Sequence, residues 1–228
     1  MAEVNFLLSL STIFPFLTGL IRRKTILPAY LPLLILFGLG LLAELSTRYA
    51  VLTGKYSWIP GNNIYLLLES ILIPLQFYVW GFIRSRKSIL YVVIGAFVLT
   101  WIAEHLIWGS IHGMHPYFRM FYSLGIVLLS INSINYLVVH EEKNLMQHPI
   151  FIICTAFIIF FTYQLVYEGI YYIVTNLAMI DTGKLNTAFS IINFTCNILY
   201  GIAFLLVPAG RMKDWFTEKN EALSNGKG

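Results

Sequence analysis

PIFIICTAFIIFFTYQLVYEGIYYIV, the segment from Pro149 to Val174, contains one charged side chain, that of Glu168. About 20 mostly apolar residues are enough for an α-helix to cross the hydrocarbon core of a bilayer. The rest of the chain has the same character, since 58% of its 228 residues are hydrophobic and 11% are charged. Soluble domains carry about 25% charged residues. The composition therefore excludes an ordinary soluble domain and predicts a membrane protein.

Seven apolar segments of this kind follow one another along the chain, separated by polar or charged loops. The predicted spans are residues 5–21, 26–50, 63–83, 89–110, 120–139, 149–174 and 185–207. We therefore expect an all-α polytopic membrane protein, a bundle of seven transmembrane helices formed by residues 1–207. Residues 208–228 are predicted to be a cytoplasmic tail, partly interfacial through Trp215 and Phe216 and then disordered.

The basic residues predict the orientation of this bundle, because Lys and Arg gather on the cytoplasmic side of a membrane protein. Eleven of the 15 fall in one set of alternate loops and the tail, namely Arg22, Arg23, Lys24, Arg84, Arg86, Lys87, Lys143, Arg211, Lys213, Lys219 and Lys227. The other side holds Arg48, Lys55, Arg119 and Lys184. We expect the N-terminus outside and the C-terminus in the cytoplasm, as a multi-pass protein of a bacterial inner membrane. The positions of the basic residues follow the topology, so the basic charge does not indicate a nucleic-acid partner. The expected partner is the lipid bilayer.

Four glutamates lie inside the predicted spans, Glu44, Glu69, Glu104 and Glu168. Each is in the outer half of its span, about 9 Å below the helix end at 1.5 Å per residue. An ionisable group in a membrane is costly unless it faces water or a partner, so these residues are the best candidates for a functional site. Because they share one depth, they predict a single polar cavity that opens outward.

Further polar residues share helical faces with these acids. Arg48 follows Glu44 by four residues, a spacing that suits an internal ion pair. The candidate ligand-binding residues are Glu44, Arg48, Tyr65, Glu69, Glu104, His105, Gln164, Glu168, Asn193 and Asn197. In the alternative interpretation, the acids pair with Arg48, His105, tyrosines and amides only to fasten the helices together.

Sequence motifs of known chemistry give little further indication of the function. No HExxH pattern and no paired Glu-x-x-His occur, so no metal ligands are assigned, although zinc or manganese on Glu104, His105 and nearby residues stays an alternative. No GxSxG elbow is present, and no catalytic residue is assigned. The seventh predicted span, 185–207, contains no lysine, which excludes a retinal Schiff base there. The cofactor, if any, stays unknown.

Three segments resemble the seven-helix membrane modules that bacteria use alone or as the input half of sensor histidine kinases. They are NNIYLLLE at 62–69, QHPIF at 147–151 and LNTAFSIINFTCN at 185–197. The likeness covers about residues 40 to 207 and rests on short motifs. It implies that Glu44, Glu69 and the asparagines of the last span form the polar core. The sequence stops soon after that span, so signalling would require a separate partner.

The leading hypothesis is a standalone, receptor-like sensor that binds a small molecule, lipid or envelope partner in its outward polar cavity. It would pass its state to a separate signalling protein at the inner face. One alternative is a membrane-embedded enzyme that acts on a lipid or isoprenoid substrate, with two of the four glutamates as acid and base and with or without a metal. Another is a structural subunit of an envelope complex.

Overall fold

The structure of the chain is a computed structural model, which describes residues 2–54, 58–83, 87–113, 115–140, 145–177 and 182–208. This part of the chain is helical and contains no strand. The helices are α1 (Ala2–Ser9), α2 (Ile13–Ile21), α3 (Arg23–Ile26), α4 (Leu31–Thr53), α5 (Ile59–Val79), α6 (Lys87–Ile102), α7 (Pro116–His140), α8 (Pro149–Leu177) and α9 (Thr182–Leu206). A 3₁₀ turn, Leu10–Thr12, joins α1 to α2, and a π-helical turn, Ala103–Ile107, continues α6.

Six helical segments of the described chain are long and apolar enough to cross a membrane. They are Val4–Ile21, Leu31–Thr53, Lys87–Ile107, Pro116–His140, Pro149–Ile170 and Lys184–Leu206. The predicted architecture of an all-helical, multi-pass membrane protein is confirmed at this level. Helix α5, the third of the seven predicted spans, is not among these six segments. It carries Asn62, Asn63, Glu69 and Gln76, which lower its mean hydropathy.

Several helix ends differ from the predicted ones. The second span was expected from residue 26, but α4 begins at Leu31 because α3 ends at Ile26 and a turn with buried Tyr30 follows. Gln76 holds this turn, since its Nε2 donates to the carbonyl of Ala29 at 2.7 Å. Helix α9 begins at Thr182, three residues before the predicted start of the seventh span. Its first turn contains the exposed Lys184.

Helices α2, α4, α5, α7, α8 and α9 form a closed ring in which each packs against the next and α9 returns to α2. Helix α6 lies outside the ring, against α5 and α7. One end of the bundle has a buried aromatic core in which Trp80 contacts Tyr30 and Phe77 edge-on, with ring centroids 5.7 and 5.6 Å apart. The buried glutamates, Glu69, Glu104 and Glu168, lie toward the other end, which is called the polar half below.

Arg22, at the end of α2, binds the C-terminal end of α9. Its guanidinium donates to the carbonyl oxygens of Phe204 at 3.0 Å and Val207 at 2.8 Å, and also to that of Leu205. These carbonyls have no partner within the helix, so the arginine supplies the missing donors. The predicted tail from residue 209 onward, with Trp215 and Phe216, lies outside the described residues, as do Arg84, Arg86 and Lys143.

Candidate functional site

A cavity of about 560 Å³ lies within the helix ring, in its polar half. The 3₁₀ turn, the residue before α5, and helices α4, α5, α7, α8 and α9 all contribute to its wall. The lining residues are Thr12, Gly40, Ala43, Glu44, Thr47, Trp58, Asn62, Tyr65, Leu66, Glu69, Pro116, Arg119, Phe160, Gln164, Tyr167, Glu168, Asn186, Phe189 and Asn193. This volume suits a small organic molecule, since ligand pockets commonly enclose about 300–1,000 Å³.

Six of the ten residues singled out from the sequence line this cavity. They are Glu44, Tyr65, Glu69, Gln164, Glu168 and Asn193. The other four, Arg48, Glu104, His105 and Asn197, are not among the lining residues. Three of the four intramembrane glutamates therefore meet at one cavity, while the fourth has a different position.

Glu69 lies at the centre of a hydrogen-bonded chain that joins three helices. Its Oε2 accepts from the hydroxyl of Tyr122 on α7 at 2.8 Å, and its Oε1 accepts from the hydroxyl of Tyr65 at 3.3 Å. Tyr122 in turn accepts from Nε2 of Gln164 on α8 at 2.9 Å. The side chains of Glu69, Tyr122 and Gln164 are buried, so this chain fixes the carboxylate in one orientation at the cavity wall.

Arg119 and Glu168 form an ion pair in the cavity wall, with Nη1 of the arginine 2.9 Å from Oε1 of the glutamate. The sequence assigned Arg119 to an outer loop, before a span that was expected to begin at Met120. Helix α7 begins instead at Pro116, which places Arg119 inside its first turn and next to α8. The sequence did not predict the pairing of Glu168 with Arg119, because this contact depends on how α7 and α8 pack.

Glu44 accepts a hydrogen bond from the hydroxyl of Ser9 at 3.0 Å. Arg48, one turn later, places its guanidinium carbon 4.8 Å from the centre of the Phe6 ring. Between described residues, the ion pair at this cavity is therefore that of Arg119 with Glu168, and not the pair with Arg48 that the helical spacing suggested. Both contacts join α4 to α1, which forms the first part of the Val4–Ile21 segment.

Glu104 has a structural role at the start of α7. Its Oε1 accepts from the backbone N–H of Tyr117 at 2.9 Å, and its Oε2 accepts from that of Phe118. The first N–H groups of a helix have no partner within it, and a carboxylate there also interacts favourably with the helix dipole. His105 beside it stacks on Trp101 at 5.1 Å and contacts the Trp101 carbonyl through Nδ1 at 3.1 Å. The geometry thus separates both residues from the cavity chemistry.

Asn197 fastens α9 to the first helical segment. Its Nδ2 lies 2.9 Å from Ser11 Oγ and 3.2 Å from Thr12 Oγ1, and the residue is buried. The contacts of Glu104 and Asn197 thus join neighbouring helical segments, a role that the alternative interpretation proposed for the glutamates and not for Asn197.

Aromatic rings form one wall of the cavity, a feature that was not anticipated from the sequence. Phe189 on α9 packs against Phe160 and Tyr167 on α8, with ring centroids 5.6 and 5.2 Å apart. The hydroxyl of Tyr167 donates to Oδ1 of Asn186 at 2.7 Å. With 16% aromatic residues in the chain, these rings had no sequence signal that set them apart from core packing.

Among the described residues, no three or more His, Cys, Asp or Glu side chains are grouped closely enough to hold a metal ion. The glutamates of the cavity face it from α4, α5 and α8 without forming such a cluster. Both cysteines, Cys154 and Cys196, are buried as free thiols.

Comparison with known proteins gives no relative for this chain. No family model matches the sequence, no curated protein is similar to it, and no solved structure matches the fold. The resemblance to bacterial seven-helix sensory modules therefore stays an expectation from short motifs, and the functional argument rests on the cavity.

Proposed function

We propose that this chain is a receptor-like, seven-helix integral membrane protein that binds a small ligand in the cavity of its polar half. In this proposal α5 also crosses the membrane, which brings the six apolar segments to seven spans, and the cavity opens to the outside. Ligand binding changes the packing of the helices around the cavity, and a separate partner at the inner face of a bacterial inner membrane responds to that change.

The observation that carries the proposal is the set of charges around the cavity. Glu44, Glu69 and Glu168 all line it, and Arg119 is the one basic residue in its described lining. A scaffold that only fastened helices would not need two further carboxylates beside a 560 Å³ space, because unpaired charge in a membrane is costly. A binding site has a reason to keep them, since polar groups at a pocket give a ligand its orientation.

The positions of the polar groups on α5 favour a helix that crosses the membrane. Asn63, Glu69, Ser70 and Gln76 are buried, so they face neighbouring helices. A helix that presents its polar residues to the bundle has less need of high overall hydropathy to cross a membrane. Its membership in the ring between α4 and α7 favours the same conclusion.

The orientation is tested with reporter fusions. Fusions at residues 24, 87 and 143 are expected to report a cytoplasmic position, and fusions at 57, 113 and 182 an external one. The reason is the concentration of lysine and arginine in the first set of loops. An external signal at residue 87 would contradict the proposed topology.

Ligand binding is tested by filling the cavity. Ala43 lines it and is half-buried, so Ala43→Phe is expected to occupy part of the space where a ligand would bind. Purified wild-type protein and this variant are screened for thermal stabilisation against a library of polar small molecules. A ligand at 100 times its Kd stabilises the folded state by about 2.7 kcal/mol, so wild type is expected to show hits that Ala43→Phe loses.

Leu45→Phe is the matched control, because Leu45 is on the same helix and is 48% exposed on the outer surface of the bundle. It is expected to keep the response of the wild type. Identical responses of wild type and Ala43→Phe to the whole library, or no response in either, would contradict ligand binding in the cavity.

A further inference from the structure

Resting on the proposed function, we propose that the ligand of this cavity is an organic amine. The ammonium group carries at least one N–H, binds beside Glu69 and Gln164 on the cavity side of the Tyr122 hydroxyl that joins them, and is attached to an apolar or aromatic body. Three independent features of the cavity point to this class of molecule: its charge, one buried acceptor and its aromatic wall.

The charge of the lining favours a cation. The ion pair of Arg119 with Glu168, at 2.9 Å, accounts for one of the three carboxylates. The hydrogen bonds that the structure gives to the other two come from hydroxyl groups: Ser9 donates to Glu44, and Tyr65 and Tyr122 donate to Glu69. Hydroxyls orient a carboxylate without neutralising it. A ligand with one positive charge would supply the missing cation, whereas an anion would add to the excess of negative charge in the lining.

Gln164 indicates that the cation has a hydrogen to donate. The single proton of the Tyr122 hydroxyl goes to Glu69, so the tyrosine oxygen must accept from the glutamine, which fixes Nε2 toward Tyr122. The other end of the amide, Oε1, is then an acceptor. It is buried without a partner, in a cavity-lining residue that is 4% exposed. Buried acceptors in native proteins nearly always have a donor. An ammonium N–H can fill this role, whereas a quaternary ammonium cannot.

The aromatic wall indicates the rest of the molecule. Phe160, Tyr167 and Phe189 form a packed cluster along α8 and α9, and Trp58 and Tyr65 add two more rings to the lining. Such rings pack against an apolar body, and their faces also attract a nearby cation. The volume of about 560 Å³ accommodates a body of one or two rings beside the ammonium group.

The unpartnered nitrogens of Arg119 narrow the class of ligand further. Its Nε and Nη2 are also buried without a partner, so they need an acceptor atom. A hydroxyl or ether oxygen on the ligand provides one without adding charge. A carboxylate would bring a further negative group next to Glu168, which already holds Nη1 of this arginine. The inferred ligand is therefore a monocation, and not an amino acid.

The test is calorimetric titration of the full chain in nanodiscs with four probes that share a phenyl ring and a two-carbon linker and differ in the head group. They are 2-phenylethylamine, its N,N,N-trimethyl derivative, 2-phenylethanol and 3-phenylpropionate. We expect 2-phenylethylamine to bind about tenfold more tightly than the other three, because the second lacks the N–H and the last two lack the positive charge. Glu69→Gln is expected to weaken that binding by at least about tenfold while the protein still folds.

Gln164→Met keeps the length of the side chain but removes both the Oε1 acceptor and the Nε2 donor to Tyr122, and the trimethyl derivative reports any effect of the lost donor. This variant is expected to weaken the binding of 2-phenylethylamine and to leave the binding of the trimethyl derivative unchanged. Val166→Met, two residues along α8 on the outer surface at 46% exposure, is the matched control and should bind as wild type does.

Tight binding of the trimethyl derivative would overturn the N–H requirement, and tighter binding of the alcohol or the carboxylate would overturn the positive charge. In these cases the cavity still binds ligands, so the proposed function would survive. Binding of none of the four probes overturns the amine proposal. The proposed function itself fails only if wild type and Ala43→Phe also respond alike to the whole library.

Discussion

Arg119→Met is expected to lower the free energy of unfolding by about 3–5 kcal/mol, because removing one partner of a buried ion pair leaves an uncompensated charge. The pair of Arg119 with Glu168 is 2.9 Å long, and the two side chains are 14% and 7% exposed. Methionine is similar in length to the arginine stem and keeps most of the packing between α7 and α8. The loss therefore reports the charge of Glu168 rather than a void.

The measurement is the melting temperature or denaturant midpoint in detergent, with the double variant Arg119→Met/Glu168→Gln as the control. The second substitution removes the stranded charge, so the double variant is expected to recover much of the lost stability. Equal stability of wild type and Arg119→Met would mean that the ion pair contributes nothing. A double variant less stable than Arg119→Met would show that the cost has another origin.

Glu104→Ala is expected to cost about 3 kcal/mol, because it removes the acceptor of two backbone N–H groups at the start of α7. The N–H groups of Tyr117 and Phe118 both donate to this carboxylate, and no helical carbonyl can replace it. Glu104→Gln retains one oxygen and is expected to lose about half as much.

Glu44→Ala is the matched control for Glu104→Ala. The hydrogen bond that the structure gives Glu44 comes from Ser9, a single hydroxyl, so its loss is expected to cost about 1 kcal/mol. The spacing of Glu44 and Arg48 suggested instead an internal ion pair at Glu44, whose removal would have been the more costly. A larger loss for Glu44→Ala than for Glu104→Ala, measured as melting temperatures in detergent, would contradict the assignment of Glu104 as the cap of α7.

The sequence could predict the helical membrane architecture because hydropathy is a local property. It could also predict that Glu44, Glu69 and Glu168 belong to one polar site, since the distance of a residue from its helix end follows from its position along the span. All three line the cavity, whereas Glu104, which was predicted with them, does not. Helical spacing brought Tyr65 to Glu69, which it contacts at 3.3 Å. These inferences need no knowledge of which helices are neighbours.

Contacts between helices were beyond such reasoning. Glu104 reaches the start of the next helix only because the π-helical turn at Ala103–Ile107 and the loop after it return the chain. Arg119 reads as a loop residue until Pro116 is recognised as the first residue of α7. The partner of Tyr122, Gln164, lies 42 positions away along the chain. Each contact depends on the rotation of a helix about its axis, which a short amphipathic pattern does not fix.

The central claim, a cavity that is polar, hydrated and open to the outside, is tested most directly by cysteine labelling on intact cells. Asn193→Cys places a thiol in the cavity lining, and Ile191→Cys, with Ile191 51% exposed on the outer surface of the bundle, is the control. Cys154 and Cys196 are both 0% exposed, so wild type should give no background. We predict that a charged, membrane-impermeant thiol reagent added outside labels Asn193→Cys and leaves wild type and Ile191→Cys unlabelled. Labelling of Asn193→Cys only after the inner face is exposed, or no labelling at all, would contradict the claim.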